Sequence, residues 1–564
     1  MPSEVERVRD ELAAAWGPEF GRVRRLVAVL LDGDWHAVGE LIGATATSRR
    51  SVGEILQRLG SWVELDRAGD RARAGDQAVT ALAAAFQAGE APAPGPEEAV
   101  EASMTAIMGG LPAPVRHLDH VPATPATAAR RARFLAETFD LAGASVLCLG
   151  DHDLTSLALL HVAPGVEVAV VDVDERVLGY VDAVARGCGW RVRTVFADLR
   201  VELPRSLAGR FDLVFSDPPY TQAGVRLFLR RGLEALRRTE FTRLLFCYGF
   251  GERQPALGLK VQAVVQELRL VAEAILPAFN RYLGAEAIGA ASALYVCRPT
   301  KRTWPALRDA TAGADPRIYT HGEGAEEAAL PPLPPAAVRV LEGLAGDRGE
   351  LGLTVVGDGV PDGLVGRRRA LPLDAYLRDM GAAQGRPPFT ASPHDGVVVA
   401  NLWPHHGAYL PRLLLTGAAA RLVVTTPKET LGVASLDPAD PLARLLASTW
   451  RLRVHARGGR SAPAVLVAER TGPTAGDPLG FALRYLVDHR HAVLGNAWRE
   501  ALIAGAALEG RRVSKNQARQ AIAAGPLAAQ LQSYLAELPL ELLRVLVPEV
   551  GRTLEELPAT AAGA

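Results

Sequence analysis

The sequence predicts an α/β protein: a doubly wound, mostly parallel sheet, preceded by a small helical domain and followed by a second α/β region with a helical tail. Three observations predict it. Between two proline-rich breaks, AGEAPAPGPEEA at 88–99 and a stretch over 301–336 that ends in LPPLPP, short apolar runs alternate with helical patterns. Each apolar run stops at a polar cluster, and doubly wound sheets gather ligands at such carboxyl ends. The segment before the first break is helical, and the C-terminal half repeats the alternation before turning helical. The chain therefore divides into 1–87, 100–300, 337–475 and 476–564, with linkers at 88–99 and 301–336.

Composition bounds the rest. The 564 residues are 49% hydrophobic and 22% charged, enough apolar material for several cores. Lys+Arg 62 against Asp+Glu 63 leaves a net charge of -1, so a general polyanion-binding coat is excluded and a nucleic-acid partner is disfavoured. Only four basic residues are lysine (Lys260, Lys301, Lys428, Lys515), a skew that reads as genomic composition bias. Of Cys148, Cys188, Cys247 and Cys297, three lie in strand-like runs and none forms a CxxC pair, so neither disulfide nor metal site is expected. MPSEVERVRDELAAAW is charged and helical rather than a signal peptide. No run approaches ~18 apolar residues, so a cytoplasmic protein without a membrane span is expected.

In the first domain, RRLVAVLLDG is apolar at helical spacing and stops at Gly33, and HAVGELIGAT is a second short helix. SRRSVGEILQRLG begins with Ser48 as N-cap and pairs Glu54 with Arg58 at i,i+4. WVELDRAGDRARA then reads as two strands about a Gly69-Asp70 turn. The pattern is that of a winged helix. Arg49 and Arg50 would open a DNA-reading helix. A docking or dimerisation module is the preferred reading, because one short basic cluster offers few phosphate contacts.

In the central block, ASVLCLG (144–150), VEVAVVDVD (166–174), RVRTVFADL (191–199), FDLVFSDPPYT (211–221) and TRLLFCYGF (242–250) are the expected strands, separated by helical stretches. At the first strand end, Gly150 permits close backbone approach, but Asp151 and Asp153 would repel phosphate, so the group bound there is expected to be cationic. Helix capping accounts for one of these two carboxylates, not both. Asp172 lies 22 residues beyond Gly150, near the spacing of a carboxylate that accepts from a ribose diol, while Asp174 or Glu175 caps the next helix. Asp198 stands where an acceptor can meet the exocyclic amine of adenine, or serves as a turn residue. In Asp217-Pro218-Pro219-Tyr220, two prolines fix the turn so that the carboxylate faces the cleft, and Tyr220 can stack on a flat or cationic group.

With DHVPATPATAARRA (119–132), LGDHDLTSLAL (149–159), VVDVDERVL (170–178) and FNRYLGAEAIG (279–289), the DPPY-bearing run resembles the branched-chain polyamine synthases, or bis-aminopropyl spermidine synthases, over roughly residues 15–300. The resemblance implies a winged-helix module before a class I methyltransferase-like, Rossmann-like catalytic domain. It implies aminopropyl transfer from decarboxylated S-adenosylmethionine to a polyamine nitrogen, with methylthioadenosine leaving; a homodimer is expected and no metal. Asp151, Asp153 and Asp217 are then the catalytic carboxylates. Gly150, Asp172, Asp198 and Asp217 hold the adenosyl co-substrate, and Asp151, His152, Asp153 and Tyr220 the amine.

Several ammonium groups and a sulfonium must share this pocket, at a cost of roughly several kcal/mol per unpaired ion in a low dielectric, which carboxylates offset. The same carboxylates disfavour intact S-adenosylmethionine, whose own carboxylate meets like charge. The attacking amine must be neutral, against an ordinary pKa of ~10.4 by analogy with lysine, and Asp153 or Asp217 is expected to take its proton. Family members carry Gly-Asp-Asp-Asp where this chain has Gly150-Asp151-His152-Asp153. His152 is therefore either a general base near neutral pH or a ring turned into the strand–helix junction. Two alternatives stand beside this reading. One is an amino-methyltransferase using S-adenosylmethionine on nucleic acid, which DPPY supports equally; the other is a non-catalytic winged-helix sensor of polyamine or nucleoside.

Beyond LPPLPP, LGLTVVGDG (351–359) echoes LCLGDHD, DGVVVANLWPHH (395–406) echoes FDLVFSDPPYT with Asn401 near the place of Asp217, and ARLVVTTP (420–427) echoes TRLLFCYG. This suggests a degenerate second Rossmann-like unit. Gly357 and Asn401 are 44 residues apart against 67 for Gly150 and Asp217, so the strand–helix pair with the ribose carboxylate is expected to be missing, and no cofactor is expected. Residues 449–469 read as a closing hairpin. His405 and His406 have no spaced partners for a metal, and Arg511, Arg512 and Lys515 read as a solvated face.

Overall fold

The computed structural model describes residues 3–87, 96–309, 318–320, 333–345, 353–357, 369–371, 373, 376, 396–404, 406–417, 419–432, 437, 439–457, 463–472, 477–557 and 560–561. In the first domain, helices α1 (Glu4–Trp16), α2 (Phe20–Leu30), α3 (Val38–Thr45), α4 (Arg49–Leu59) and α5 (Asp76–Gln87) surround a three-stranded antiparallel sheet. Its strands are β1 (His36–Ala37), β2 (Val63–Leu65) and β3 (Arg71–Ala74), ordered β1-β3-β2. Ser48 caps α4 by accepting from the Ser51 N–H, and Arg58 pairs with Glu54 at 3.3 Å. Arg49 is spanned by Asp70 at 2.6 Å.

The central sheet runs β6-β5-β4-β7-β8-β10-β9. Strands β4 (Ser145–Leu149), β5 (Glu167–Asp172), β6 (Val192–Phe196), β7 (Leu213–Ser216) and β8 (Arg243–Tyr248) are parallel. β10 (Ala291–Pro299) and β9 (Leu270–Arg281) close the sheet antiparallel. β4 is buried along its whole length because helices cover both faces, which is why it reads as an unbroken apolar run. Val146 and Cys148 face the core shared with α7 (Pro125–Thr138), α8 (Thr155–Val162) and α9 (Glu175–Gly187); Leu147 and Leu149 face α10 (Gln222–Ala235) and α11 (Pro255–Glu267).

The first domain docks at the amino ends of these strands. Arg243, which opens β8, pairs with Glu19 at 2.8 Å, Arg24 pairs with Asp140 at 2.8 Å, and Trp16 stacks on Phe241 at 4.8 Å. It therefore lies at the end of the sheet opposite the polar clusters.

The C-terminal sheet runs β12-β11-β13-β14-β16-β15. β11 (Leu353–Val356), β12 (Arg369–Leu371), β13 (Val397–Asn401) and β14 (Arg421–Thr426) are parallel, and β16 (Ala464–Arg470) and β15 (Trp450–Arg457) close it antiparallel. Strand for strand this is the order of the central sheet without a counterpart of β6 among the described residues. The expectation that the second strand is missing is corrected here. β12 occupies the place of β5, and Val356 pairs with Leu371 as Leu149 pairs with Val171. The next residue in the sequence is Pro372, where the first sheet has Asp172. Gly357 lies so close to Asn401 that a Cβ would sit 2.5 Å from its carbonyl oxygen, and the Asn401 side-chain oxygen accepts from Trp403 N and Thr425 Oγ1 at 3.1 and 2.6 Å. Asp358, Gly359 and His405 lie outside the described residues.

From Pro478 onward the described chain is mainly helical, and one continuous apolar core runs from Val100 to Leu557, joining this part to the central domain. No helix among the described residues is long and apolar enough to cross a membrane, and no group of three or more His, Cys, Asp or Glu among them is placed to hold a metal.

Candidate active site

The carboxyl ends of β4, β5, β6 and β7 line a cavity of about 400 Å³. Its described lining carries six carboxyls (Asp119, Asp151, Asp153, Asp172, Asp198 and Asp217) and one guanidinium, Arg131. All eight residues singled out from the sequence border it: Gly150, Asp151, His152, Asp153, Asp172, Asp198, Asp217 and Tyr220. Gly150 has φ +69°, a left-handed turn that glycine adopts without strain, and Phe228 lies 3.7 Å from where a Cβ would be.

The centre of the site is a residue the strand-end reasoning passed over. Thr124 caps α7 and Pro125 opens it; the Thr127 hydroxyl, one turn further, both accepts from Arg281 N and donates to Arg281 O. This locks α7 against β9 and aims Arg131 into the cleft floor, its side chain fully buried. Arg131 donates to Asp153 Oδ2 at 2.8 Å, Asp217 Oδ2 at 2.6 Å and Asn280 Oδ1 at 2.8 Å, with its plane 5.1 Å from the Phe215 ring centre. Tyr282 adds a hydroxyl 2.7 Å from Asp217 Oδ2. Arg131, Asn280 and Tyr282 lie within the runs 119–132 and 279–289, so the signal was a basic residue and an Asn-Arg-Tyr in runs with no other explanation.

The carboxylates differ in what they have left to offer. Asp153 is enclosed: one oxygen accepts from Ala123 N at 2.7 Å and the other from Arg131. Asp217 is more open, since its Oδ1 meets only the Tyr220 hydroxyl, at 3.0 Å. Burial, with Asp153 nearby, pushes the Asp217 carboxyl up to about 6 against the opposing pull of Arg131. Asp151 accepts from the Ser156 N–H and hydroxyl, capping the first turn of α8. Burial, aided by Asp153 and Asp172, nonetheless raises it to about 8. Asp172 accepts from Asp151 N at 3.0 Å and Asp174 N at 2.8 Å, and burial raises it as well. Asp174 caps α9, as expected for one of the two acidic residues there. Asp198 is clasped by Arg200 at 2.6 Å.

His152 fits neither expectation. Its ring lies tilted against His120, with centroids 4.3 Å apart, in the cleft wall, rather than turning into the strand–helix junction. Burial lowers both imidazoles to about 4, so each is neutral at pH 7 and a weak base. The stretch expected as a 301–336 linker is also partly built into the site. Helix α12 (Thr303–Asp309) lies in it, and Ile318–Thr320 borders the cavity, pinned by Thr221 Oγ1 on the Ile318 carbonyl (2.7 Å) and by Asp119 on Thr320 (2.6 and 2.7 Å).

The Asp151 shift has a sign that can be measured. A carboxyl raised from 3.8 to about 8 binds a proton in the folded chain that the unfolded chain has released, so its contribution to stability falls as pH rises from about 4 to about 8. Ligand-free protein should therefore melt at lower temperature at pH 8 than at pH 5, and Asp151→Asn should flatten that slope in a calorimetric pH series. An unchanged slope would contradict the assignment.

Three comparisons bear on this site. Residues 100–311 match the family described as Branched-chain polyamine synthase A C-terminal domain. An uncharacterized protein of Methanocaldococcus jannaschii is 37% identical over 171 residues, 30% of this chain and 43% of the relative. The N(4)-bis(aminopropyl)spermidine synthase of the same organism is 30% identical over 181 residues, 31% of this chain and 51% of the relative. The chain thus spans about half the length of the curated relatives it matches. Among solved structures, the branched-chain polyamine synthase of Thermus thermophilus, in complex with N4-aminopropylspermidine and 5'-methylthioadenosine, aligns with 20% identity and a TM-score of 0.33, over 58% of this chain and 99% of the other. The match runs from α6 (Glu97–Met108) through α12 and contains every residue of Arg131's network: it is over residues 100–311 that this chain is similar to the branched-chain polyamine synthase family.

Proposed function

We propose that the chain is a polyamine aminopropyltransferase, moving an aminopropyl group from decarboxylated S-adenosylmethionine to an amine nitrogen of a polyamine. The observation that carries this is the acidic lining of the cleft, six carboxyls of which Asp198 is paired with Arg200 while Asp153 and Asp217 share the single guanidinium of Arg131, in a cavity sized for a small ligand. Such a lining suits a sulfonium and several ammoniums, and repels the phosphates of a nucleic acid. The relatives named N(4)-bis(aminopropyl)spermidine synthase support the same class.

In the proposed reaction the amine lone pair attacks the propyl carbon beside the sulfonium. The carbon–sulfur bond breaks, its electron pair stays on sulfur, and methylthioadenosine leaves. The amine proton passes to Asp217, whose Oδ1 is the less committed carboxylate oxygen; Asp153 holds Arg131 and the α7 entry instead. Gly150, Asp172 and Asp198 take the adenosyl side, and Asp151 and Tyr220 the amine. Because no covalent enzyme intermediate is needed, orientation supplies most of the rate. The first domain, docked at the amino ends of the strands, is proposed as a docking module; a homodimer, expected from the sequence, is read by sedimentation equilibrium.

The test is product mass. Decarboxylated donor with spermidine should yield spermidine enlarged by one or two aminopropyl groups, together with methylthioadenosine. Methylated DNA or RNA from S-adenosylmethionine would overturn the reading in favour of a methyltransferase, and tight ligand binding without turnover in favour of a sensor.

A further inference from the structure

Two buried side chains of the C-terminal α/β unit reach the loops at the nucleoside end of the cleft. Tyr409 ends the 3-10 turn Gly407–Tyr409 that leads into the helix Leu410–Thr416. Its hydroxyl accepts from the Asp198 N–H at 3.1 Å, and its ring meets Phe196, the last residue of β6, edge-on at 5.7 Å. Three residues on, Arg412 lays its guanidinium over the Phe196 ring at 3.7 Å and pairs with Glu175, directly after Asp174. The other Glu175 oxygen accepts from Leu540 N at 2.9 Å, again from the C-terminal region. Tyr409 and Arg412 are only 7% and 3% exposed. The loops after β5 and β6, the first starting directly after Asp172 and the second carrying Asp198, are thus held by residues outside the matched span 100–311.

We propose that the C-terminal unit completes the nucleoside half of the cleft, with Tyr409 as a positioning residue for Asp198 and Arg412 for the loop between β5 and α9. The inference rests on the reading of Asp172 and Asp198 as adenosyl contacts. A buried N–H that loses its acceptor must find another by moving the backbone. The Asp198 carboxylate is tied to the following turn through Arg200 N and the Arg200 side chain, so such a movement carries it along. The Arg131 side of the amine half is separate from these loops, because Asp153, Asp217 and Arg131 draw their partners from α7, β9, Tyr220 and the segments beside them; Asp151, whose N–H donates to Asp172, is the link between the two halves. A sheet whose own strand-end glycine is closed by Asn401 thereby serves as a wall for the neighbouring site.

The test is calorimetric titration of the full-length chain with 5'-methylthioadenosine and, separately, with spermidine. Tyr409→Phe keeps the ring and removes the hydroxyl; it should weaken nucleoside binding by about tenfold and leave spermidine binding within about twofold. Arg412→Lys keeps a cation at Glu175 but loses the planar stack on Phe196, and should shift the same ratio in the same direction. Equal nucleoside affinity in the parent and both variants overturns the inference, as does equal weakening of both ligands, the mark of general loosening. A parent chain that binds spermidine but no adenine nucleoside overturns instead the reading of Asp172 and Asp198, and the inference with it.

Discussion

Asp217→Asn should lower the turnover of aminopropyl transfer by about 10²–10⁴-fold, the range for loss of a positioned proton acceptor, with a much smaller effect on methylthioadenosine affinity. Asparagine preserves the volume and one acceptor for the Tyr220 and Tyr282 hydroxyls, which stand 3.0 and 2.7 Å from the carboxylate. It removes the negative charge and the site for the amine proton. The parent profile should carry the same signature. With the Asp217 carboxyl pushed up to about 6, turnover rises as pH increases through that region, because the unprotonated form is the one that accepts. In Asp217→Asn that limb disappears. Asp153→Asn is expected to act differently: its carboxylate is spent on Ala123 N and Arg131, so the loss shows first as reduced stability. Retained turnover in Asp217→Asn would remove the role assigned to Asp217, and unchanged stability in Asp153→Asn the role assigned to Asp153.

Arg131→Met should destabilise the central domain by about 3–5 kcal/mol, the cost of removing one partner from a buried ion network. The guanidinium is fully buried and answers Asp153, Asp217 and Asn280 together, so its removal leaves two carboxylates facing each other without a counter-charge. Methionine fills much of the volume, so the penalty is mainly electrostatic. The pH dependence follows from that. Without the opposing pull of Arg131 the Asp217 carboxyl rises further in pKa, so the variant binds more protons when folded, and its deficit relative to the parent shrinks on acidification and grows from pH 5 to pH 8. Denaturant midpoints at several pH values check this, and adding Asp217→Asn to Arg131→Met should recover part of the loss. A deficit independent of pH would show that packing rather than charge sets the role of Arg131.

Much of this site could be read from the sequence because a parallel sheet leaves a simple trace. β4, β5, β7 and β8 are buried on both faces and so appear as unbroken apolar runs. The residues that follow them fall at one edge of the sheet by topology alone. That is why Gly150, Asp151, Asp172, Asp198 and Asp217 could be placed in one cleft without coordinates. What strand-end reasoning does not see is a partner arriving from elsewhere in the chain. Arg131 lies inside a helix, Asn280 and Tyr282 at the end of an edge hairpin, and Thr320 in a stretch whose composition reads as a linker. Their contacts join residues 22 to 201 apart and have no local periodicity.

The environment of each carboxyl was likewise invisible. Asp151 and Asp153 are near neighbours with the same chemistry, yet one is capped by Ser156 and pushed to about 8, while the other is enclosed by Ala123 N and Arg131. His152, a ring near neutral pH by composition, is lowered to about 4 because burial and His120 oppose its charged form. The repeated sheet order was legible from its echoing runs, but which strand has no counterpart among the described residues was not. β12 is only three residues long and falls below any periodic signal.

The central claim is that these aspartates select a donor lacking a carboxylate, together with a polyamine. Titration of the full-length chain at pH 8 with decarboxylated S-adenosylmethionine, with S-adenosylmethionine and with spermidine tests it most directly. The account predicts that the decarboxylated donor binds at least about tenfold more tightly than S-adenosylmethionine, a difference of about 1.4 kcal/mol, and that spermidine binds in the same cleft. Tighter binding of S-adenosylmethionine, with no measurable spermidine binding, would contradict it.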